Sequence, residues 1–373
     1  MSRKILALFG TRPECIKLAP IIAELRRRPG EFDTFVCSSG QHREMLDQTL
    51  SAFDLPVDKD LAVMRHDQTL PELTAALIVA LTRTMHEVMP DLVLVQGDTS
   101  TALAGALAAY YQRIPVGHVE AGLRSYNRYN PFPEEGNRQM IGVLADLHFA
   151  PTQRAVDALR REGTASARIH LTGNTVVDAL NDLKSRLETA TGLQLVSTQI
   201  RQIVSAAQQI VLITCHRRES FGSDLAAICN AIRRLAIRHP HISFVFPVHL
   251  NPNVRSQVLP LLSQISNILL LSPLGYLDFM FVLARSTLAL SDSGGIQEEA
   301  PSFGVPVLVL RSTTERREGI DAGFAELVGA DEELIVARAS MLLQQTSETN
   351  IGRQNPYGDG RASKRIVDIL ATM

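Results

Sequence analysis

Short apolar runs recur along this chain, separated by longer amphipathic stretches, and that alternation is what most constrains its fold. Ile5–Phe9, Thr34–Cys37, Leu92–Val95, Val116–Val119, Leu147–Ala150 and Ile169–Leu171 read as strands. Lys17–Arg28 and Thr101–Gln112 are among the helical stretches between them. Ile210–Thr214, Ile242–Pro247, Ile268–Leu271, Leu288–Ser291 and Val305–Leu310 repeat the rhythm. Continuous apolar strands are buried on both faces, and helices between them imply βαβ units in parallel sheets. The expected class is α/β, with two Rossmann-like domains of parallel sheet facing each other. The length of 373 residues agrees, since one domain takes ~100–200.

The first domain is expected over 1–172 and the second over 173–355, with Val176–Leu187 as a helical connector. A helical pattern at Arg361–Thr372, inside the final segment 356–373, is expected to pack back on the first domain. Gln344–Gln354 reads as a polar loop. Lys plus Arg number 37 against 39 Asp plus Glu, a net charge of −2, which lacks the basic surface of a nucleic-acid binder. No unbroken stretch of ~18 apolar residues is present, so no membrane span is expected. Cys15, Cys37, Cys215 and Cys229 show neither CxxC nor zinc spacing and read as small buried hydrophobes in a reducing compartment. A cytoplasmic protein follows from these readings.

In open parallel sheets, ligands gather at the carboxyl ends of strands. The residues just past each apolar run are therefore the candidates. The first run leads into Gly10-Thr11-Arg12-Pro13-Glu14, with Lys17 one turn on, and Leu92–Val95 leads into Gln96-Gly97-Asp98. Val116–Val119 ends in Glu120-Ala121-Gly122-Leu123-Arg124. Ile210–Thr214 precedes His216-Arg217, Val245–Val248 precedes His249, and Leu288–Leu290 precedes Ser291-Asp292-Ser293-Gly294-Gly295. Each also has a structural reading. Arg12 and Lys17 can be solvated charges at a helix start, and Asp98 can be a helix N-cap. Glu120 can be ion-paired with Arg124, and His216 and His249 can be hydrogen-bonded core histidines.

Ser293-Gly294-Gly295 opens a helix with a glycine turn, which serves either a tight strand-to-helix connection or the binding of a diphosphate by free backbone N–H groups. The turn has no P-loop lysine, and the first strand is not followed by GxGxxG, so neither ATP hydrolysis nor a dinucleotide cofactor is supported. Glu299, one turn on, is either an exposed helix carboxylate or an acceptor for ribose hydroxyls. The Pro-rich segment Asn127–Arg138 carries Glu134 and Glu135, which also suit the start of the following helix. Together these residues suit acid–base work on a substrate held by its phosphates. A metal site is the weaker reading, with no HExxH or paired-carboxylate spacing.

The segments FGTRPE, IKLAP, GQHREMLDQ, QGDT, HVEAGLRS, PFPEEGNR, TGNTVVDAL, HRRES, PVHLNPNVR, SDSGGIQEEAP and TTER follow one another along the chain. In that order they resemble the bacterial non-hydrolysing UDP-N-acetylglucosamine 2-epimerases along nearly the whole chain. The resemblance implies a glycosyltransferase-B-like pair of Rossmann domains with a UDP-sugar in the cleft between them. It implies an isomerase that interconverts UDP-N-acetylglucosamine and UDP-N-acetylmannosamine through elimination and re-addition of UDP, without NAD or metal. Asp98, Glu120 and Glu134 match the family's acid–base carboxylates, and His216 matches the residue serving the diphosphate leaving group. Arg12 and Lys17 match contacts from the N-terminal domain. Ser293, Gly294 and Gly295 match the diphosphate cradle, Glu299 the ribose clamp and Arg316 a further charged contact. Phe279 and Leu274 fall at the uracil.

Gln41, Arg217 and His249 match positions at which some members bind a second UDP-N-acetylglucosamine as an activator. Asp67, however, stands where those members carry an Arg. A homodimer is implied by resemblance only. A glycosyltransferase of the same fold, a 2-epimerase of another UDP-2-acetamido sugar and a catalytically dead UDP-sugar sensor are the competing readings.

Overall fold

Ile5, Leu6, Ala7, Leu8 and Phe9 are all fully buried, which makes their strand β1 (Arg3–Phe9) the axis of the first sheet. Successive side chains of a strand point to opposite faces. Ile5, Ala7 and Phe9 accordingly pack with Leu18, Ile21 and Ile22 of the helix Arg12–Arg26 and with Ile366, Val367 and Leu370 of the helix Ala362–Ala371. Leu6 and Leu8 face the other way, onto Leu73, Leu77 and Leu81 of the helix Leu70–Val88 and the alanines of the helix Ser100–Tyr111. The structure is a computed structural model, and it describes residues 2–40, 43–65, 67–215, 222–344 and 353–373.

Among the described residues, the first sheet also contains β2 (Phe32–Ser38), β3 (Lys59–Asp60), β4 (Leu92–Gln96), β5 (Val116–Val119), β6 (Leu147–Ala150) and β7 (Ile169–Leu171). All pairings are parallel and the order is β3-β2-β1-β4-β5-β6-β7. A second parallel sheet holds β8 (Gln209–Thr214), β9 (Ile242–Pro247), β10 (Ile268–Leu271), β11 (Leu288–Ser291), β12 (Val307–Val309) and β13 (Ala325–Leu327). Its order is β10-β9-β8-β11-β12-β13. Val211, Ile213 and Phe244 there pack against Ile228, Ile232 and Leu235 of the helix Ser223–Arg238 and Ile335 and Ala339 of the helix Glu332–Gln344. Winding reverses between β1 and β4 in the first sheet and between β8 and β11 in the second. At such points, adjacent connections leave to opposite sides and open a crevice at the carboxyl ends.

The chain divides into a unit of Met1–Asp182 with Tyr357–Met373 and a unit of Leu183–Pro356. The division runs through the helix Thr175–Leu187 rather than ahead of it. The returning tail is tied down by polar contacts. Asp178 accepts from the backbone N–H groups of Ala362 (3.1 Å) and Ser363 (2.8 Å), and Asn174 N–H donates to the Tyr357 carbonyl (2.7 Å). The alternation did not reveal β3 or β13, because Lys59–Asp60 is polar and Ala325–Leu327 is very short. β12 is shorter than the apolar run Val305–Leu310 because that run contains Pro306, which has no N–H to donate to a ladder. The first helix begins earlier than its apolar pattern, at Arg12, because Thr11 and Glu14 form a capping box around Pro13. Of the loop expected over Gln344–Gln354, Gln344 ends a helix and 345–352 lie outside the described residues. Among the described residues no helix is long and apolar enough to cross a membrane.

His118 of β5 and His148 of β6 are register neighbours, each 1 % exposed. Burial is the first cause that pushes their imidazoles down, to about 3 and about 4. Both are neutral when folded and take up a proton on unfolding below the ordinary histidine value. Their stabilising contribution is therefore complete above about pH 6.5 and declines as the pH falls toward about 4. The urea midpoint of a His148→Asn variant should consequently fall less than that of the unaltered protein between about pH 7 and about pH 5. Equal losses would show that His148 is not held neutral.

Candidate active site

The turn that follows β1 is built for close approach. A Cβ on Gly10 would lie 2.2 Å from Ser39 Oγ and 2.3 Å from Thr101 Oγ1. Those two hydroxyls hydrogen-bond each other at 2.9 Å. Glu14 binds this turn to the one after β4. Its Oε2 accepts from Gly10 N–H (3.0 Å), Thr11 N–H (2.7 Å) and Thr11 Oγ1 (2.7 Å), and its Oε1 accepts from Thr99 Oγ1 (2.7 Å). Burial pushes the Glu14 carboxyl up to about 7 against the opposing effect of these bonds.

Asp98 follows β4 but does not cap the next helix. Thr99 does, accepting from Ala102 N–H at 3.0 Å. The Asp98 carboxylate instead accepts from Arg138 Nη2 at 2.5 Å, while Asn137 Nδ2 donates to the Asp98 carbonyl at 2.8 Å. The preceding peptide is fixed by His118, whose neutral ring donates from Nε2 to Gly97 O at 2.7 Å. Glu120, at the end of β5, holds a φ of +65°, a region that costs a non-glycine residue on the order of 1–3 kcal/mol. Its carboxylate pairs with Lys17 and accepts from Gln96 Nε2 (2.5 Å) and Asn174 Nδ2 (3.3 Å). The alternative pairing with Arg124 does not form, because that guanidinium forks onto Glu162 at 2.7 and 2.6 Å. Nor is Lys17 a solvated charge, being 7 % exposed.

Glu134 and Glu135 form the first turn of the helix Glu134–Leu144. Glu135 is fully buried and accepts from the backbone N–H groups of Ser125 (2.9 Å) and Tyr126 (3.1 Å), so it anchors the preceding loop. Glu134 is half-buried, and among the described residues its side chain makes no hydrogen bond or ion pair. Arg12, the first residue of its helix, is likewise half-buried and unpaired among them. Arg12, Lys17, Asp98 and Glu120 thus follow the ends of β1, β4 and β5, and Glu134 opens the helix whose Asn137 and Arg138 reach Asp98, with Arg12 and Glu134 uncommitted among the described residues.

In the second unit, Thr214 and Ser291 join the ends of β8 and β11 through their hydroxyls at 2.6 Å. Ser293-Gly294-Gly295 follows and opens the helix Gly294–Glu299. Gly294 leaves room for Arg316, since a Cβ there would sit 2.7 Å from the guanidinium carbon. Arg316 is not a free charge: its Nε donates to Glu298 Oε1 at 2.8 Å and its Nη1 pairs with Glu315. Glu299 is half-buried, as are Leu274 and Phe279, which lie before and within the helix Tyr276–Leu283. His249 is exposed after β9, its Nδ1 accepting from Asn251 N–H at 3.1 Å, rather than sitting in the core. His216, Gln41 and Arg217 lie outside the described residues.

The strand-end rule placed Glu14 and Gln96 among the residues following β1 and β4 without giving either a role, the Pro-rich segment contained Arg138 without a partner, and neither reached His118 or Asn174. Glu14 carried a signal, the capping-box spacing behind Thr11. The others act through partners distant in sequence.

A profile of the family described as UDP-N-acetylglucosamine 2-epimerase matches residues 23–371. The UDP-N-acetylglucosamine 2-epimerase of Escherichia coli strain K12 is 47 % identical over 369 residues, covering 98 % of each chain. That of Campylobacter jejuni is 45 % identical over 375 residues, covering 99 % of this chain and 98 % of its own. A crystal structure of the Neisseria meningitidis UDP-GlcNAc 2-epimerase bound to UDP-GlcNAc superposes with a TM-score of 0.92 at 46 % identity, covering 99 % of this chain and 100 % of the other. A kitacinnamycin glycotransferase, 11 % identical with a TM-score of 0.66 and covering 100 % and 98 %, shares the fold alone. On its sequence and on its two parallel sheets, this chain belongs to the UDP-N-acetylglucosamine 2-epimerase family.

Proposed function

We propose that this protein interconverts UDP-N-acetylglucosamine and UDP-N-acetylmannosamine by eliminating UDP and adding it back. The observation that carries this reading is the set of three carboxylates at the first switch point, each in a different setting. Asp98 is paired with Arg138, Glu120 with Lys17, and Glu134 is uncommitted among the described residues. Inversion at C2 needs a proton removed from one face of the sugar and returned to the other. It therefore needs carboxyl groups in both protonation states rather than one base alone.

In the proposed sequence a carboxylate takes the C2 proton, the C–H electrons form the C1–C2 double bond, and the C1–O bond breaks with its electron pair leaving on UDP. The resulting 2-acetamidoglucal is protonated at C2 from the opposite face as UDP returns to C1. The elimination needs no oxidant and the addition no reductant. Arg12, uncommitted among the described residues, is proposed to meet the negative charge of the substrate. The turn Ser293–Gly295 is proposed as the diphosphate holder, with Glu299 on the ribose and Leu274 and Phe279 at the base. His216 is assigned to the leaving diphosphate from the sequence alone. A homodimeric, cytoplasmic enzyme completes the reading on family resemblance.

Proton NMR of the protein with UDP-N-acetylglucosamine in deuterated water tests it. Deuterium at C2 and growing UDP-N-acetylmannosamine signals are expected, and neither should appear if the protein is a transferase. Asp98→Asn, Glu120→Gln and Glu134→Gln should each lower kcat by about 10²–10⁴-fold, and a variant keeping full kcat removes that residue from the mechanism. Gly294→Ala drives a methyl group into the Arg316 guanidinium held by Glu298 and Glu315. It should raise KM by about tenfold, or ~1.4 kcal/mol, with little loss of melting temperature. An unchanged KM would separate this turn from substrate binding.

A further inference from the structure

The helix that begins at Glu134 carries two further polar residues, Asn137 and Arg138, that the reaction outlined above does not use. Each is 5 % exposed, and each reaches the same residue at the end of β4. Asn137 Nδ2 donates to the Asp98 carbonyl and Arg138 Nη2 to the Asp98 carboxylate, at 2.8 and 2.5 Å. One helix turn thus grips both the backbone and the side chain of Asp98. On its other side, Arg138 Nη1 lies 3.3 Å from Glu135 Oε2, the fully buried carboxylate that anchors the Ser125–Tyr126 backbone.

This arrangement is poorly explained by stability. A buried guanidinium costs several kcal/mol of desolvation, and apolar residues of similar volume commonly serve a core as well or better. An arginine retained for stability would satisfy its donors, yet Nε and Nη1 of Arg138 are buried without a hydrogen bond. Its one hydrogen-bonding nitrogen is given to Asp98, whose side chain keeps 24 % of its surface exposed and so stays accessible. Without this grip, the short side chain would sample several rotamers.

We propose that Arg138 is the positioning residue of the Asp98 carboxylate, with Asn137 fixing the backbone beneath it, so that the helix carrying Glu134 also sets the placement of Asp98. The proposal rests on the reading of Asp98 as a proton-transferring group in C2 epimerisation. Carboxylates that act on one carbon must keep a fixed separation, and a helix that carries Glu134 and holds Asp98 through Asn137 and Arg138 provides it for these two. A misplacement of about 1 Å can cost on the order of 10²-fold in rate.

The test compares kcat and KM for UDP-N-acetylglucosamine, calorimetric UDP affinity and melting temperature in Arg138→Lys, Arg138→Met, Asp98→Asn and the Asp98→Asn/Arg138→Met pair. Arg138→Met should lose about 100-fold in kcat, with KM and UDP affinity within about threefold of the unaltered enzyme. Arg138→Lys, which keeps the charge but not the fork, should fall between. Arg138→Met should cost no more than about threefold further once Asp98 is already Asn, because the two act as a unit.

A kcat loss that adds in full to Asp98→Asn, or that travels with an equal loss of UDP affinity, would make Arg138 a general structural residue and overturn the proposal. If Arg138→Met does not fold, Arg138→Lys decides, and an undiminished kcat there overturns it as well. An unaltered protein that forms no epimer would refute the function instead. Normal epimerisation together with a fully active Arg138→Lys variant would refute this inference alone.

Discussion

A parallel sheet covered on both faces leaves charge nowhere to go but the ends of its strands. In β1, every residue from Ile5 to Phe9 is fully buried, and the first polar chemistry appears at the turn from Gly10 onward. Gln96 and Asp98 at the end of β4 and Glu120 at the end of β5 obey the same rule, as does Ser291 at the end of β11. The reversal of winding between β1 and β4, and again between β8 and β11, then decides which ends face an open crevice. Glu14 makes the first crevice a single object, since its two oxygens bond to the turns on either side of the reversal.

At the strand ends of the two units, each taken by itself, the charges fall into three groups. Lys17 with Glu120, Arg138 with Asp98 and Glu135, and Arg316 with Glu298 and Glu315 in the second unit are matched inside the protein. Pairing offsets part of the cost of burying such charges. Glu14 is held by hydroxyl and amide donors instead, and burial raises its carboxyl to about 7. Arg12 and Glu134 stand apart, half-buried and without a side-chain partner among the described residues. Matched charges set geometry, while unmatched ones are available to meet a ligand.

Much of this was legible in the amino-acid order, and the limits have physical causes. Central strands announce themselves because burial on both faces demands continuous apolar runs. Edge strands such as β3, Lys59–Asp60, face water and need no such run. Candidate residues were found because chemistry at strand ends is a rule of the fold, and the epimerase motifs lay at those ends. Pairings were not legible. Arg124 is Glu120's nearest cation in sequence, yet Lys17 is its partner from 103 residues away. Asp98 looked like a helix cap until the structure placed Thr99 there and brought Arg138 from 40 residues on. Three-dimensional proximity of that kind leaves no local trace.

The proposal that UDP departs from the sugar and returns is tested most directly with UDP-N-acetylglucosamine carrying oxygen-18 in the bond between C1 and the diphosphate. A UDP that breaks free can rotate its terminal phosphate before it adds back. The label should therefore move from the bridging to the non-bridging positions of recovered substrate. Exchange of the C2 proton with the label still fixed in the bridge, and with no free UDP or 2-acetamidoglucal formed on prolonged incubation, would contradict the mechanism, because the C2 proton would then be exchanging without any sign that the sugar–UDP bond breaks.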